Sequence, residues 1–516
     1  MPADNTKQTG KVYIVGAGPG DPELITVKGL RCIREADVLI YDHLVSEELL
    51  SHAKNSIRLI YAGKQGGDHT LTQDEINRRL VEEAGQGKIV ARVKGGDPFI
   101  FGRGGEEAEV LAKAGIPFEI VPGVTSAIAV PSYAGIPLTH RGYTSTVAFV
   151  TGHEDPDKEH SDIDWGALAD IGTLVFLMGV KNLPKIVAGL IAHGKAPETP
   201  AALIRWGTTA DQETLTDTLA KIAQRAEEKQ FLPPAIFVVG RVVDLCESLD
   251  WFEKKPLFGK GVVITRPDAQ AADMQELLRQ QGARTIAFPT IRIVEPESWQ
   301  ALDEALKHLE SYHWIIFTSA NGVRFFFRRL QETGRDLRDL KGIRICTIGP
   351  ATASTLEIMG IRVDLVPDSY VSEGVIKAFE KHNLNSRKIL LPRAETARDV
   401  IPEGLAGLGA AVDVVTVYRT VASGQKKEKL ESLIAAGKVD VITFTSPSTV
   451  THFMDIMEKD FKLPPQVRTA CIGPVTAAAM KKAGLPVDIM REEFTIPGLV
   501  AAMIEYLKDN QRDRHF

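Results

Sequence analysis

The stretch that decides the fold of the first half of the chain is Lys94 to Glu107, KGGDPFIFGRGGEE. It holds five glycines, one aspartate and one arginine, and it directly follows the apolar run Lys88 to Val93, which predicts a strand. A loop with so few side chains lets a ligand approach the backbone closely. A second strand and glycine loop lies upstream, at Val15 to Thr26, VGAGPGDPELIT. Two such loops in one parallel-sheet pattern predict a single small-molecule site.

Composition indicates an ordinary multidomain globular protein. The chain has 516 residues, of which 44% are hydrophobic and 25% charged, and at roughly 150 residues per domain this length predicts about three or four domains. The net charge of -6 gives no overall reason to expect nucleic acid. No apolar run approaches the roughly 20 residues of a membrane span, and the polar start MPADNTKQTG does not resemble a signal peptide. We therefore expect a cytoplasmic protein.

The cysteines argue against a disulfide framework and against a metal site. There are four of them, widely spaced and without a CxxC pair: Cys32, Cys246, Cys346 and Cys471. This spacing is typical of reduced thiols rather than of zinc ligands.

Short Val- and Ile-rich runs alternate with helical patterns, which predicts an α/β fold. Pro and Gly punctuation before residue 140 divides the first half into two expected lobes, about 10–140 and 141–250, with the ligand between them. A charged segment with Pro and Gly at 251–260 is the expected linker, because a new strand, VVITRP, begins at Val262. We expect the second domain to span 261–510.

The second half nearly repeats itself. WIIFTSANGVRFF at 314–326 is similar to VITFTSPSTVTHF at 441–453, and ICTIGPATASTLEIMG at 345–360 is similar to TACIGPVTAAAMKKAG at 469–484. This similarity predicts an internal duplication. Each repeat is expected to contain a strand, a TS turn and a helix, followed by a strand, a GPxTA turn and a helix.

Small hydroxyl residues stand where these helices are expected to start. Such residues satisfy the free N–H groups of a helix start, and the same N–H groups can bind an anion. Each of them alone is equally well explained as a helix cap, whereas four at matched places favour a polyanion site. The four expected binding residues are Ser319, Thr352, Ser446 and Thr476.

A dinucleotide site is not indicated. The G-x-G-x-x-G pattern fails in the first loop, because Asp21 follows Gly16 and Gly18 where the third glycine belongs. Asp42, at the end of the strand-like VLIY, still leaves a nucleotide-type ligand open.

Several ordered motifs in the first half resemble uroporphyrinogen-III C-methyltransferase, a member of the tetrapyrrole methylase superfamily. They cover residues 10 to 250 and are VGAGPGDPELIT, YDHLVS, AGK, VKGGDPFIFGRGGEE, PGVTSA, GIPLTHRG, TGH and MGV. The resemblance implies a two-lobed methylase fold and methylation of uroporphyrinogen III at C2 and C7 by S-adenosyl-L-methionine, giving precorrin-2. It leaves open whether that product continues to cobalamin, siroheme or heme d1.

The resemblance also implies particular site residues. Asp42 and Lys64 fall at the family's proposed acid/base positions, although a helix cap and a solvated lysine remain the alternatives for them. Arg92, Arg103, Arg141 and Lys181 are candidates for the carboxylates of the substrate. The implied cofactor contacts are Pro19, Gly95, Gly96, Asp97, Ile100, Thr125, Ser126, Met178 and Gly207.

The second half resembles uroporphyrinogen-III synthase through ITRP, the paired FTS and GPxTA turns, and VYRT at 417–420. That family cyclises hydroxymethylbilane and has two flavodoxin-like lobes, expected here at 261–288 plus 422–510 and at 296–413. Tyr418 matches the tyrosine thought to assist departure of the substrate hydroxyl, although a tyrosine packed at the hinge is the alternative.

The two resemblances fit together, because the product of the second half is the substrate of the first. The two resemblances therefore imply a lyase and a methyltransferase in one porphyrin-biosynthesis chain, with tetrapyrrole substrates and a homodimer formed through the methylase half. Neither nucleic acid nor a membrane is an expected partner. The alternative is a methylase whose second half is a non-catalytic tetrapyrrole sensor.

Overall fold

The computed structural model describes residues 9–54, 56–63, 71–153, 162–425, 427–458 and 461–512. The chain divides into two compact units. The first contains the chain up to Gly261 together with Leu278–Arg284, and the second contains Val262–Leu277 and Thr285–Asp509. Among the described residues, we find no helix with the length and apolar character needed to span a lipid bilayer.

The first sheet of the first unit is parallel and carries the glycine loops. Its order is β3-β2-β4-β1-β5. The three central strands are short and rich in Val or Ile, as expected for strands buried on both faces, whereas the edge strand β3 is largely exposed. The strands are β1 Lys11–Gly16, β2 Val38–Tyr41, β3 Arg58–Tyr61, β4 Ile89–Lys94 and β5 Phe118–Val121. The carboxyl ends of β1, β2, β4 and β5 therefore open onto one edge.

The second sheet of this unit is mixed rather than parallel, in the order β6-β7-β10-β8-β9. β10 runs antiparallel to both β7 and β8, while β6 and β7 are parallel. The strands are β6 Val147–Thr151, β7 Thr173–Leu177, β8 Pro200–Arg205, β9 Glu213–Thr218 and β10 Ala235–Val239.

Helices cover both sheets of the first unit. Several begin at polar caps; for example, Thr72 and Glu75 form a reciprocal capping box at the start of α3. The helices are α1 Val27–Glu35, α2 Glu47–Leu50, α3 Gln73–Gly85, α4 Gly104–Lys113, α5 Ser126–Tyr133, α6 Trp165–Ala169, α7 Leu183–Ala192, α8 Leu219–Glu228 and α9 Cys246–Leu249.

The second half of the chain forms two further sheets. One has the order β12-β11-β18-β19 and the other β13-β17-β16-β14-β15. In both, the strands that precede the TS and GPxTA turns lie side by side and parallel. The strands are β11 Gly261–Ile264, β12 Arg284–Ala287, β13 Ile291–Val294, β14 Trp314–Phe317, β15 Arg344–Thr347, β16 Lys388–Ala394, β17 Ala411–Ala422, β18 Val441–Phe444 and β19 Arg468–Cys471.

β17 is the longest strand of this half, and it takes part in two kinds of pairing. It runs parallel to β16 up to the pair Ala394 and Tyr418, and antiparallel to β13 from Arg419 onwards. The helices of this half are α10 Asp268–Gln280, α11 Gln300–Lys307, α12 Ala320–Glu332, α13 Pro350–Ile358, α14 Ser372–Phe379, α15 Val400–Gly407, α16 Lys427–Ala435, α17 Pro447–Met457, α18 Pro474–Lys482 and α19 Ile496–Arg512.

Candidate functional site

The loops after β1, β4 and β5 pack together through bare backbone. Gly18 N donates to Gly96 O at 3.2 Å, and Gly96 N donates to Gly18 O at 2.7 Å. A Cβ atom on Gly16 would lie 2.5 Å from the Cα of Gly123 and 2.7 Å from the carbonyl oxygen of Gly96. Only glycine fits at such a separation, so the three loops present peptide groups rather than side chains. This is the arrangement that a ligand held by backbone contacts requires.

Asp97 joins the second loop to the third. Its Oδ2 accepts a hydrogen bond from Gly123 N at 3.0 Å, and its Oδ1 accepts one from Phe99 N at 2.8 Å. The second loop also approaches the start of α5: a Cβ atom added to Gly96 would lie 3.6 Å from Ser126 N. The carboxylate of Asp97 is therefore a structural element of the loop edge, whatever else it contacts.

Replacing Gly123 by alanine should weaken binding of a ligand at these loops. The new methyl would lie 2.6 Å from the Cα of Gly16 and press on the carbonyl oxygen of Gly96. Overpacking of this kind costs about 1–3 kcal/mol, so we expect the dissociation constant for S-adenosylhomocysteine, measured by titration calorimetry, to rise about 10- to 100-fold. Gly105→Ala is the matched control, because a Cβ on Gly105 meets nothing within 4 Å. Equal affinities for the two variants would show that the loops do not hold the cofactor.

Asp42 lies beside the same edge, at the end of β2. Its Oδ1 accepts from Leu44 N at 3.1 Å and its Oδ2 accepts from Gly95 N at 3.4 Å. The helix-cap alternative for Asp42 is wrong, because the cap of the following helix α2 is Ser46 and the Asp42 carboxylate instead organises a turn at the loop edge. The second predicted acid/base residue, Lys64, lies outside the described residues.

Helix α5 lies between the glycine loops and the second sheet. Thr125 caps this helix by accepting from Ala127 N at 3.3 Å, and Ser126 is its first residue. Gly207 packs against the same helix, where a Cβ would lie 2.6 Å from Cγ2 of Val130. These three predicted residues therefore converge on the loops.

Left-handed backbone conformations mark the strand ends of the second sheet. Met178 has φ 57°, Trp206 has φ 46° and Thr208 has φ 69°. Non-glycine residues in this region are strained, and such strain is concentrated at functional sites. Met178 directly follows β7, which ends at Leu177, and Met178 is 51% exposed.

Pro19 and Ile100 are the remaining predicted cofactor contacts. Pro19 lies partly buried between Gly18 and Gly20, and a Cβ on Gly20 would meet Thr209 at 2.8 Å. Ile100 is partly buried in the loop after β4. Ile100 therefore belongs to one of the three loops, whereas Met178 follows β7 of the second sheet.

Asp21 is a site residue that the sequence did not identify. Its carboxylate accepts a hydrogen bond from the Tyr133 hydroxyl at 2.7 Å, and its backbone N–H donates to Thr208 Oγ1 at 3.0 Å. Burial and the Asp21 carboxylate raise the pKa of Tyr133. The first loop is thereby held to α5 and to the strained segment after β8. Its partners lie 112 and 187 residues away, so no local pattern could have revealed them.

A buried ionic cluster stands behind the glycine loop. Glu107 is fully buried, and its Oε1 accepts hydrogen bonds from Lys94 Nζ at 2.9 Å, Arg92 Nε at 3.2 Å and Gln73 Nε2 at 3.2 Å. Burial and the neighbouring Arg92 lower the pKa of Lys94. Arg92 is buried, and its guanidinium already donates to Glu107 and to the carbonyl oxygen of Val93, so it is not available to a substrate carboxylate and the expectation for it is wrong. Arg103 is exposed and forms a bidentate pair with Glu106.

Tyr418 and Ser319 meet in the second unit. The two hydroxyl oxygens are 3.1 Å apart, and Ser319 Oγ also accepts from Gly322 N at 3.0 Å, as the cap of α12. Tyr418 is buried, and its ring stacks on Phe325 with centroids 5.9 Å apart. Burial raises the pKa of Tyr418, and the hydrogen bond with Ser319 offsets this in part. The phenol therefore keeps its proton at neutral pH and can donate it.

Ser446 repeats the role of Ser319 in the other lobe. It caps α17 by accepting from Thr449 N at 3.3 Å. The expectation that Thr352 and Thr476 cap helices is wrong, because the caps of α13 and α18 are Gly349 and Gly473.

Thr352 and Thr476 lie within the first turns of their helices and are only 5% and 3% exposed. Each helix begins with a proline, and the threonine is its third residue.

Family models match both halves of the chain. Residues 11–223 match the tetrapyrrole (corrin/porphyrin) methylases, and residues 272–501 match uroporphyrinogen-III synthase HemD. The porphyrin biosynthesis protein HemD of Ruminiclostridium josui is 39% identical over 497 residues, which cover 96% of this chain and 98% of that protein. This chain belongs to the tetrapyrrole methylase and uroporphyrinogen-III synthase families.

Two further relatives match the methylase half. The S-adenosyl-L-methionine-dependent uroporphyrinogen III methyltransferase of Methanosarcina barkeri is 57% identical over 241 residues, covering 46% of this chain and 94% of its own. A crystal structure of uroporphyrin-III C-methyl transferase from Thermus thermophilus, complexed with S-adenyl homocysteine, is 39% identical and covers 46% of this chain and all of its own, with a TM-score of 0.40.

Proposed function

We propose that this chain is a bifunctional enzyme of tetrapyrrole biosynthesis. Its second half cyclises hydroxymethylbilane to uroporphyrinogen III, and its first half methylates that product at C2 and C7 to give precorrin-2. The observation that carries the proposal is the relative from Ruminiclostridium josui, which matches 96% of the chain at 39% identity and so includes both sites in one polypeptide. The glycine loops and the Tyr418–Ser319 pair supply the chemistry that each reaction needs.

In the methylase half, the residues fit S-adenosyl-L-methionine. The cofactor supplies an already activated methyl group, so the main task of the protein is orientation, which is worth roughly 7–11 kcal/mol in favourable cases. Gly95, Gly96 and the loop joined by Asp97 would hold it through peptide groups, next to Thr125 and Ser126 at the start of α5. Pro19, Ile100, Met178 and Gly207 remain proposed contacts.

Asp42 is the proposed acid/base residue of this half. Its carboxylate lies at the loop edge, hydrogen-bonded to Gly95 N at 3.4 Å. A carboxylate there stabilises the positive charge that develops on a methylated pyrrole and accepts the proton that is later lost. Lys64 is proposed to hold a substrate carboxylate or to donate a proton.

In the synthase half, Tyr418 is the proposed proton donor to the departing hydroxyl of the substrate. Ser319 holds the phenol oxygen in place, and the stacked Phe325 fixes the plane of the ring. The protein must otherwise fold a flexible chain of four pyrrole rings before the ring closes. Ser446, Thr352 and Thr476 are proposed to help by binding its carboxylates near the starts of α17, α13 and α18.

The proposed setting of the enzyme follows from its substrates. Both are small anionic tetrapyrroles, so we propose a cytoplasmic enzyme that uses neither nucleic acid nor membrane as partner. We also propose that it forms a homodimer through the methylase half.

The decisive test is to incubate the full chain with hydroxymethylbilane and S-adenosyl-L-methionine and to identify the product by mass spectrometry and isomer analysis. The expected product is a type III tetrapyrrole that carries two added methyl groups. A type I to type III ratio equal to that of the enzyme-free reaction would contradict the synthase assignment and favour a sensor. Failure to methylate supplied uroporphyrinogen III would contradict the methylase assignment.

A further inference from the structure

Two arginines occupy the same place in the two sheets of the second half. β11 pairs in parallel with β18 from Val262 and Val441, and β16 pairs in parallel with β14 from Ile389 and Trp314. Ser446 and Ser319 occupy equivalent positions after these pairs, because the spacing from Val441 to Ser446 equals that from Trp314 to Ser319. Arg266 and Arg393 are equivalent in the same sense, because the spacing from Val262 to Arg266 equals that from Ile389 to Arg393. Each capping serine thus has an arginine at the end of the neighbouring strand.

The surroundings of these two arginines differ. Arg393 is internally neutralised: its Nη2 donates to Asp399 Oδ1 at 2.6 Å and its Nη1 donates to the carbonyl oxygen of Arg398 at 3.0 Å. Arg266 is partly buried, and among the described residues it forms neither an ion pair nor a side-chain hydrogen bond. Burial lowers the pKa of Arg266, with only a partial offset from the charge of Asp273. A desolvated cation without a partner is unfavourable, and an anion would compensate for it.

The backbone that carries Arg266 is fixed. Thr265 Oγ1 donates to Thr443 O at 2.7 Å, and Thr443 Oγ1 donates to Val263 O at 2.8 Å, so β11 and β18 are joined by side chains as well as by the sheet. Both threonines are fully buried. The guanidinium is thus attached to a rigid strand end, as a specific binding group requires.

Arg266 is linked through the helix that follows it to α12, the helix whose cap contacts Tyr418. The strand order reverses between β11 and β18, and ligands of open α/β sheets bind at the carboxyl ends of the strands at such a point. The helix that follows Arg266 reaches the other lobe, where Gln270 Nε2 donates to Asn321 Oδ1 at 3.3 Å. Asn321 is in the first turn of α12, the helix that Ser319 caps.

We propose that Arg266 binds a carboxylate of the linear tetrapyrrole and thereby holds the substrate chain against Tyr418. The inference rests on the proposed synthase function of the second half and adds a specific binding residue to it. A guanidinium suits this task, because its planar fork can donate two hydrogen bonds to one carboxylate.

The test is the steady-state cyclisation of hydroxymethylbilane by the full-length Arg266→Gln variant. We expect the KM to rise roughly 10- to 100-fold, as for loss of a hydrogen bond to a charged group, with a smaller change in kcat. Arg266→Lys keeps the charge but loses the fork, so its KM should lie between those of the wild type and Arg266→Gln. Arg324→Gln, which removes an exposed arginine from α12, should leave the KM unchanged.

Each result has a definite meaning. A wild-type KM in Arg266→Gln would overturn the inference and leave the proposed function intact, whereas a wild-type protein that does not accelerate cyclisation would overturn both. Methylation of supplied uroporphyrinogen III and the thermal unfolding profile report whether the variant chain is folded. If Arg266→Gln does not fold, Arg266→Lys decides: a raised KM supports the inference and an unchanged KM overturns it.

Discussion

Replacing Tyr418 with phenylalanine is expected to lower the rate of enzymatic cyclisation roughly 10²- to 10⁴-fold, the usual contribution of a positioned proton donor. The substitution keeps the ring that stacks on Phe325 and removes only the hydroxyl that lies 3.1 Å from Ser319 Oγ. The measurement is the initial rate of uroporphyrinogen III formation, with the type I isomer counted separately as the spontaneous product. Methylation of supplied uroporphyrinogen III should be unchanged.

Tyr312→Phe is the matched control for this variant. Tyr312 is also a buried tyrosine of the second unit, and its hydroxyl donates to Asp413 at 2.6 Å. Its loss should reduce stability and leave cyclisation almost unaffected. If both variants cyclise the substrate at the wild-type rate, Tyr418 is a packed hinge residue rather than a proton donor. Because burial raises the pKa of Tyr418, the wild-type enzyme should keep this proton donor at pH values where a free tyrosine begins to ionise.

Glu107→Gln should destabilise the first unit by about 3–5 kcal/mol, the usual cost of breaking a buried ion pair by removing one partner. The variant leaves Arg92 and Lys94 buried without a negative charge between them. Hydrogen exchange of the β4 and α4 amides in the full-length protein measures the local opening free energy. Glu109→Gln on the same helix is the control: its pair with Lys113 is 3.8 Å long and largely exposed, so its loss should cost less than 1 kcal/mol.

The stability of this region should also depend on pH, through Lys94. The pKa of Lys94 is lower in the folded protein than in the unfolded chain. Between these two pKa values the unfolded chain binds more protons than the folded protein, so stability rises with pH across that window and is lower but constant below the folded-state pKa. Removing the Glu107 charge lowers the pKa of Lys94 further. The loss of stability caused by Glu107→Gln should therefore become smaller as the pH rises toward the ordinary pKa of lysine. A loss of stability that grows with pH would contradict this account.

The parts of the site predicted from sequence are those with short-range causes. A strand followed at once by Gly95 and Gly96 predicts a loop with close backbone approach, and a parallel sheet brings Gly16 to the same edge as these residues. Ser319 and Ser446 were also expected at helix starts, because a cap depends on a few neighbouring residues. The antiparallel strands β8 and β9 were not predicted, because no helix separates them and they therefore depart from the regular alternation of strands and helices.

The parts that were missed depend on distant partners. The sequence around Arg92 does not differ from that around an exposed basic residue. Only the fold places Arg92 against the buried Glu107. Asp21 was noticed only as a departure from a dinucleotide motif, whereas in the structure it joins its loop to Tyr133 and Thr208. A single sequence contains no signal for such pairs.

The different surroundings of Arg266 and Arg393 bear on how the direction of a substrate is recognised. Matching serines and matching arginines in the two sheets would by themselves offer a linear chain the same binding groups in either orientation. Hydroxymethylbilane has distinguishable ends, and only one of them carries the hydroxyl that must leave. Asp399 neutralises Arg393, whereas Arg266 forms no ion pair among the described residues, so the two positions differ in charge. If Arg266 binds a carboxylate as proposed, this difference gives the site a polarity and a means of distinguishing the head of the substrate from its tail.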